Sequence, residues 1–284
     1  MTNQEILRIA MEQSARDLSA DTSDFEKNEN VVVTSRVSDG ARRYLKLPFS
    51  CQLVSYGNNV VASVSPGFRE ITENYINKYS VEHLFETPNL HVLSDALTEK
   101  GQKICFMAEY FLPDVDAVSE LTCDYETRVL RQEDFSELYL PEWSNALCEK
   151  RKQLDVLGVG AYDNGCLIGL AGCSADCDSM WQIGVDVLPK YRKQGIASAL
   201  TSKLAIEILE KDIVDFLDSN GERLACNRFF DDWFIYAVPS ESGYTYSLLK
   251  LREQEHDAEE GIVADGDTPG VTISFISFDY EVLL

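Results

Sequence analysis

Gly195 is the residue around which the rest of this chain has to be arranged. It sits in Arg192-Lys193-Gln194-Gly195-Ile196-Ala197, directly after an apolar run over residues 181–188 and directly before a stretch with helical spacing. In that stretch Leu200, Leu204 and Ile208 recur every four positions, joined by Ala205, Leu209 and Ile213, which describes one buried face of a helix from Ala197 to about Asp212. The expected local structure is therefore strand, glycine turn, helix. Glycine lets the backbone turn and approach a ligand without a Cβ clash, and the small Ala197 keeps that approach open. The first turn of the helix leaves N–H donors unpaired at the positive end of its macrodipole, a ready site for phosphate oxygens. Arg192 and Lys193 add positive charge there.

That local charge matters because the whole chain is acidic. Its 284 residues carry a formal charge of −23, with 45% apolar and 26% charged side chains. Such a length and composition suit two modest globular domains. The charge argues against a nucleic-acid or anionic-membrane surface, since phosphate backbones are bound mainly through Lys and Arg. An anionic ligand has to be captured locally. No stretch approaches the roughly 18 to 20 apolar residues that span a bilayer, and Met1-Thr2-Asn3-Gln4-Glu5 lacks the basic and apolar regions of a signal peptide. A cytoplasmic location is expected.

The eight cysteines (Cys51, Cys105, Cys123, Cys148, Cys166, Cys173, Cys177 and Cys226) are irregularly spaced and fall mostly in apolar runs, as buried reduced thiols do. Cys173 and Cys177 have three residues between them, no second pair and no nearby His, so no metal site is expected. His83, His91 and His256 form no cluster.

Along the chain, residues 1–122 read as a mixed α/β unit. Residues 5–18 have helical spacing, residues 31–33 are a strand, and residues 51–56 and 60–64 flank Gly57-Asn58-Asn59 as a hairpin. Ser65-Pro66 opens a helix through about Tyr79. Ser94 caps a helix over 95–100, Gly101 ends it, and residues 102–110 form a strand. From Tyr125 the order becomes a strand (125–130), a short helix (132–138), a second helix (144–152) and three strands (155–162, 166–173 and 180–188). Asp163-Asn164-Gly165 is the strongest hairpin signal in the chain.

This order, with Arg192, Gly195 and Ala197 in the pattern Arg/Gln-x-x-Gly-x-Gly/Ala and with Pro189-Lys190-Tyr191-Arg192 leading in, resembles the GNAT superfamily of N-acetyltransferases over about residues 125–212. The front segment resembles the leading domain of a bacterial subgroup of that family, in Asn28 to Val33 and Ala108 to Asp114. The resemblance implies an α+β fold: a mixed, mostly antiparallel sheet flanked by helices over 123–217, preceded by a smaller α/β companion domain (1–122) and followed by a β-rich segment (218–284). It also implies transfer of an acetyl group from acetyl-CoA to a primary amine of a small molecule or peptide. Carried onto this chain, Val185 and Val187 bond the pantetheine arm as a neighbouring strand would. Arg192, Lys193, Gln194, Gly195, Ile196, Ala197 and Ser198 surround the pyrophosphate. The chemistry needs an amine freed of its proton and a proton for the departing thiolate. Asp186 and Glu142 are the candidate carboxylates, with Asp176 and Asp178 in the turn before the strand. The plainer alternatives are a salt-bridged or solvated strand residue for Asp186 and a dipole-stabilised first-turn carboxylate for Glu142.

Past Lys211 the likeness fades. Residues 213–217 serve as the family's fifth strand, but Asp218 to Asn227 fits either a hairpin around Asn220-Gly221 or a short helix, and the family's Gly-Phe pair is absent. Tyr236 and Tyr244 are the remaining candidate proton donors. Strands are expected at 232–238, 244–250 and 271–278, with an acidic solvated loop over 253–270. From Asp212 onward there are sixteen acidic and four basic side chains, about half of the net charge. The divergence leaves a second function class open, a non-catalytic CoA-binding or protein-interaction module. The oligomeric state is open too.

Overall fold

The computed structural model describes residues 1–104, 107, 110–218, 229–237 and 271–277. In chain order the elements are α1 (Asn3–Leu18), β1 (Val31–Thr34), β2 (Cys51–Ser55), β3 (Val60–Val64), α2 (Arg69–Ile76), α3 (Val81–Leu84) and α4 (Thr87–Thr98). Then come β4 (Tyr110–Pro113), β5 (Glu126–Arg131), β6 (Asp155–Asp163), β7 (Cys166–Ser174) and β8 (Met180–Val187). The last are α5 (Ile196–Leu209), β9 (Val214–Asp218), β10 (Phe229–Ala237) and β11 (Val271–Ser277). They form two compact units: one holds residues 1–10 and 111–218, the other 11–110 with 230–237 and 271–277. The class is α+β. Among the described residues no helix is long and apolar enough to cross a membrane.

In the second of these units β2 and β3 pair antiparallel as a hairpin, from Cys51↔Val64 to Ser55↔Val60. β1 lies parallel to β3, β11 parallel to β2, and β10 antiparallel to β11. Period-2 alternation in β2 and β3 sends Cys51, Leu53, Val60, Ala62 and Val64 to one face, where Ile76 of α2 and Leu90, Leu93 and Leu97 of α4 cover them. A buried ion pair, Arg42 Nη1 donating to Asp17 Oδ2, closes the 35–49 loop onto α1, with Gln13 Nε2 also donating to Asp17.

In the unit of 111–218, β5, β6, β7 and β8 are successive antiparallel neighbours and β9 joins the far side of β8 in parallel. The helical stripe read from the sequence is realised: Leu200, Leu204, Ala205 and Ile208 of α5 are fully buried against Val159, Ala161, Ala171, Cys173 and Ile183. At roughly 1.5–3 kcal/mol for each large apolar side chain taken out of water, that contact holds α5 on the sheet. The other face is covered by Leu130, Phe135, Trp143, Ala146, Leu147 and Leu170. Asn164 and Gly165 adopt φ of 50° and 82°, as a two-residue turn between twisted strands requires. Nothing lies within 4 Å of a Cβ placed on Gly165, so Gly165→Ala meets only the conformational cost of positive φ. An equilibrium denaturation experiment is expected to show a loss of about 1 kcal/mol.

Several expectations shift. α4 begins at Thr87, seven residues before Ser94, because Pro88 is tolerated in a first turn that needs no N–H from it. Of the strand expected over 102–110, Tyr110 opens β4 (Tyr110–Pro113), and residues 105, 106, 108 and 109 lie outside the described residues. Gln102 N–H instead donates to Leu97 O at 2.9 Å and is consumed in closing the end of α4. The helix expected over 66–79 is a 3₁₀ turn (Pro66–Phe68) followed by α2.

The helices expected over 132–138 and 144–152 are three 3₁₀ turns, Gln132–Phe135, Pro141–Trp143 and Glu149–Leu154, the last broken by Arg151 at φ −136°. The reason is a competition for donors. For the second of these helices, the Cys148 N–H, which a helix over 144–152 would direct to Ser144 O, is taken by Asp155 instead, while the first-turn N–H groups of Asn145 and Ala146 go to Asp186. The hairpin-or-helix question at 218–227, the strand at 244–250 and the loop at 253–270 lie outside the described residues. Cys51, Cys123, Cys148, Cys166, Cys173 and Cys177 are free thiols.

Candidate functional site

β8 has two different partners, and they release it at different points. Along β7 the ladder runs from Ser174↔Gln182 to Gly169↔Val187. Along β9 it runs only from Met180↔Val214 to Ile183↔Leu217. Leu188 N–H donates to Ile168 O at 2.9 Å, which sets the alternation: Gly184 and Asp186 exchange main-chain bonds with β7, while Val185 and Val187 direct theirs to the other edge. From Gly184 to Val187 that edge has no strand paired to it among the described residues. Part of it is already used, since Arg192 Nε donates to Val187 O at 3.0 Å.

The chain then makes a 3₁₀ turn at Pro189–Tyr191 and passes through Lys193 at φ 61° and Gly195 at φ 74° before entering α5. Gly195 is the N-cap, with no side-chain cap, and its O accepts the N–H of Ala199 at 3.0 Å. A Cβ on Gly195 would meet nothing within 4 Å, so the approach to the turn is open. Among the described residues nothing accepts a hydrogen bond from the N–H groups of Gln194, Gly195, Ile196 or Ala197. Lys190, Arg192 and Lys193 are exposed around them, and Ala197 and Ser198 are half-buried in the first turn of α5.

The turn is braced from behind. Tyr125 Oη donates to Gln194 Oε1 at 2.8 Å, Gln194 Nε2 donates to Lys190 O at 3.4 Å, and Tyr191 Oη donates to Asp163 Oδ2 at 2.7 Å. The Tyr125 and Tyr191 rings meet edge to face at 5.6 Å. The Gln194 side chain is thus a brace, and its main-chain N–H is the group left to a ligand.

The two candidate carboxylates stand differently. Asp186 Oδ2 accepts the N–H groups of Asn145 and Ala146, each at 2.9 Å, and Oδ1 accepts Asn145 Nδ2 at 2.7 Å. Glu142 is exposed in the first turn of Pro141–Trp143, three residues before Asn145, beside the buried Trp143. Asp176 is buried and accepts from Arg151 Nη1 at 2.6 Å. Asp178 is exposed. Asp155 is buried and accepts from Ser174 Oγ at 2.5 Å and from Cys148 N–H at 2.9 Å; burial raises its carboxyl above the ordinary range.

Asp215 was not singled out by motif. It is wholly buried on β9, neither of its oxygens has a hydrogen-bond partner among the described residues, and burial pushes its carboxyl up to about 7. The only signal in the sequence is a lone acid inside the apolar run 213–217. Burial also drives the Cys173 thiol well above its usual range, so it is no source of thiolate. Among the described residues no group of three or more His, Cys, Asp or Glu is placed to hold a metal.

A strand edge released on one side thus runs into a basic glycine turn whose N–H donors are unpaired among the described residues, an arrangement with the shape and charge to accept an extended, phosphate-bearing ligand. Residues 118–234 match the model of the acetyltransferase (GNAT) family.

Among solved structures the chain is similar to a GCN5-related N-acetyltransferase-like protein from Streptococcus suis 89/1591, at 21% identity and TM-score 0.35 over 46% of this chain and 58% of that one. It is also similar to a putative acetyltransferase of the GNAT family from Novosphingobium aromaticivorans DSM 12444, at 18% identity and TM-score 0.33 over 42% and 55%. A third is a GCN5-related N-acetyltransferase from Kribbella flavida, at 18% identity and TM-score 0.33 over 48% and 57%. The match thus spans little more than half the length of each. A search of curated proteins gave no match.

Proposed function

We propose that this chain transfers the acetyl group of acetyl-CoA to a primary amine of a small molecule or peptide. The observation that carries the proposal is the ladder between β8 and β9 ending at Ile183↔Leu217 while β8 continues to Val187 and into the Gly195 turn. In this proposal the outward main-chain groups of Val185 and Val187 bond the pantetheine amides. The N–H groups from Gln194 to Ser198, with Arg192 and Lys193, bind the pyrophosphate at the start of α5. The thioester carbonyl carbon is then held beside the mouth of the parted strands.

The amine nitrogen attacks that carbon, a C–N bond forms, the C–S bond breaks, and the coenzyme thiolate takes up a proton while the ammonium loses one. Glu142, whose exposed carboxylate sits on the turn over β8, is assigned the amine's proton. The acidic character of the chain, −23 overall, suits a cationic acceptor.

Isothermal calorimetry with acetyl-CoA tests donor binding. Gly195→Glu puts a carboxylate among the phosphate-binding N–H groups, and binding is expected to weaken at least tenfold. Equal heats for both proteins, or none for wild type, would end the proposal. Release of free thiol in the presence of an amine then separates a transferase from a protein that only holds the coenzyme.

A further inference from the structure

Asp186 is the one carboxylate on the stretch of β8 beyond its last pairing with β9, and its side-chain hydrogen bonds among the described residues all run to one place. Three donors of Asn145 and Ala146 converge on its two oxygens at 2.7–2.9 Å. Independently of those bonds, the same dipeptide is seated on glycine. Gly172 and Gly184 are cross-strand partners on β7 and β8. A Cβ on Gly184 would lie 1.9 Å from Asn145 O, and one on Gly172 would lie 2.2 Å from Ala146 O.

Two adjacent missing side chains thus form a trough on the sheet face opposite α5, and the Asn145–Ala146 backbone fills it. Gly184 is the first residue past Ile183, where β8 and β9 part. The dipeptide therefore stands at the apex of the opening. Trp143, Ala146 and Leu147 anchor the same turn to Leu130, Phe135 and Leu170.

We infer that Asp186 is a positioning residue of the transferase site, and that its carboxylate locks the 141–147 turn into the Gly172–Gly184 trough and so sets the wall against which the acceptor amine is placed. The inference rests on the proposed transferase reading for its consequence, though not for the clamp itself. Both oxygens of Asp186 are engaged with the 141–147 turn rather than with the opening between the strands. An asparagine in place of Asp186 can keep its one acceptor oxygen on the two main-chain N–H groups but exchanges a charged acceptor for a neutral one, so it weakens the clamp, and alanine removes it.

Amide hydrogen exchange and steady-state kinetics on Asp186→Asn and Asp186→Ala test this, with spermidine, glucosamine and a tripeptide bearing a free amino terminus as acceptors. Exchange at Asn145 and Ala146 is expected to accelerate at least tenfold in Asp186→Ala and about threefold in Asp186→Asn, with less change at Val159 in the sheet. The acetyl-CoA dissociation constant is expected to stay within twofold. The acceptor KM is expected to rise about tenfold, kcat to fall by up to about tenfold because Glu142 rides on the same turn, and the acidic limb of the kcat/KM profile to keep its midpoint.

Loss of that limb with a fall in kcat of a hundredfold or more, and normal exchange, would make Asp186 the proton acceptor and overturn the inference. Unchanged exchange overturns it whichever amines react. If the wild type binds no acetyl-CoA the transferase reading fails, while accelerated exchange in the variants still upholds the clamp. Should the alanine variant not fold, the asparagine variant carries the same comparison.

Discussion

Replacing Asp215 with asparagine is expected to make the protein more stable at pH 8 than the wild type, and to remove most of the wild type's loss of stability between pH 4 and pH 7. The carboxyl is wholly buried on β9, has no hydrogen-bond partner among the described residues, and is pushed up to about 7 by burial. An unfolded chain releases the same proton near 4. Between those values the folded state binds more protons than the unfolded state, so stability falls as pH rises. The full benefit is present below about pH 4, is lost progressively up to about pH 7, and does not change further above that.

A difference of about three pH units corresponds to roughly 4 kcal/mol at most. An uncharged asparagine of the same shape never incurs that cost. Urea denaturation of both proteins at pH 4.5, 6 and 8 measures it directly. Curves that stay parallel across this range would show that Asp215 does not titrate there.

A single methyl group at Gly184 is expected to have an effect of similar size and opposite sign. Its Cβ would sit 1.9 Å from the carbonyl oxygen of Asn145 and 2.7 Å from the carbonyl carbon. The obstacle is backbone, so no rotamer change relieves it. Either β8 or the 141–147 turn has to move by more than an ångström, and the three bonds to Asp186 break with it. Overpacking of this kind costs about 1–3 kcal/mol before the lost bonds are added, so a total of about 3 kcal/mol is expected for Gly184→Ala. Gly67→Ala is the control, because nothing lies within 4 Å of a Cβ there and its backbone needs no positive φ. Thermal unfolding of the two variants should separate them by several degrees; equal midpoints would show the trough to be yielding rather than tight.

Local features carried a large part of the architecture. The spacing of Leu200, Leu204 and Ile208 demands a helix with one apolar stripe, and all three are buried in α5. Asn164-Gly165 demands a two-residue hairpin, and both residues adopt positive φ. The glycine turn and its basic flank are equally local, because they depend on the conformational freedom of Gly195 and on where a helix begins. Local signals misled between Gln132 and Leu154, where side-chain propensity favoured helix. Within 144–152 the Cys148 N–H that a helix would have used is claimed by Asp155 at the start of β6, and the preceding turn is tied to Asp186 of β8, about forty residues on.

The sequence by itself determined the strand, glycine turn and helix that present unpaired N–H groups to an anion, since every interaction involved lies within a few residues. Only the tertiary structure decided what the carboxylates do. Asp186 is bonded to residues about forty positions away, the Gly172–Gly184 trough exists only when β7 pairs with β8, and Asp215 is isolated only once α5 covers the sheet. A carboxylate's role is set by the donors and the burial around it, and those come from parts of the chain that only folding brings together.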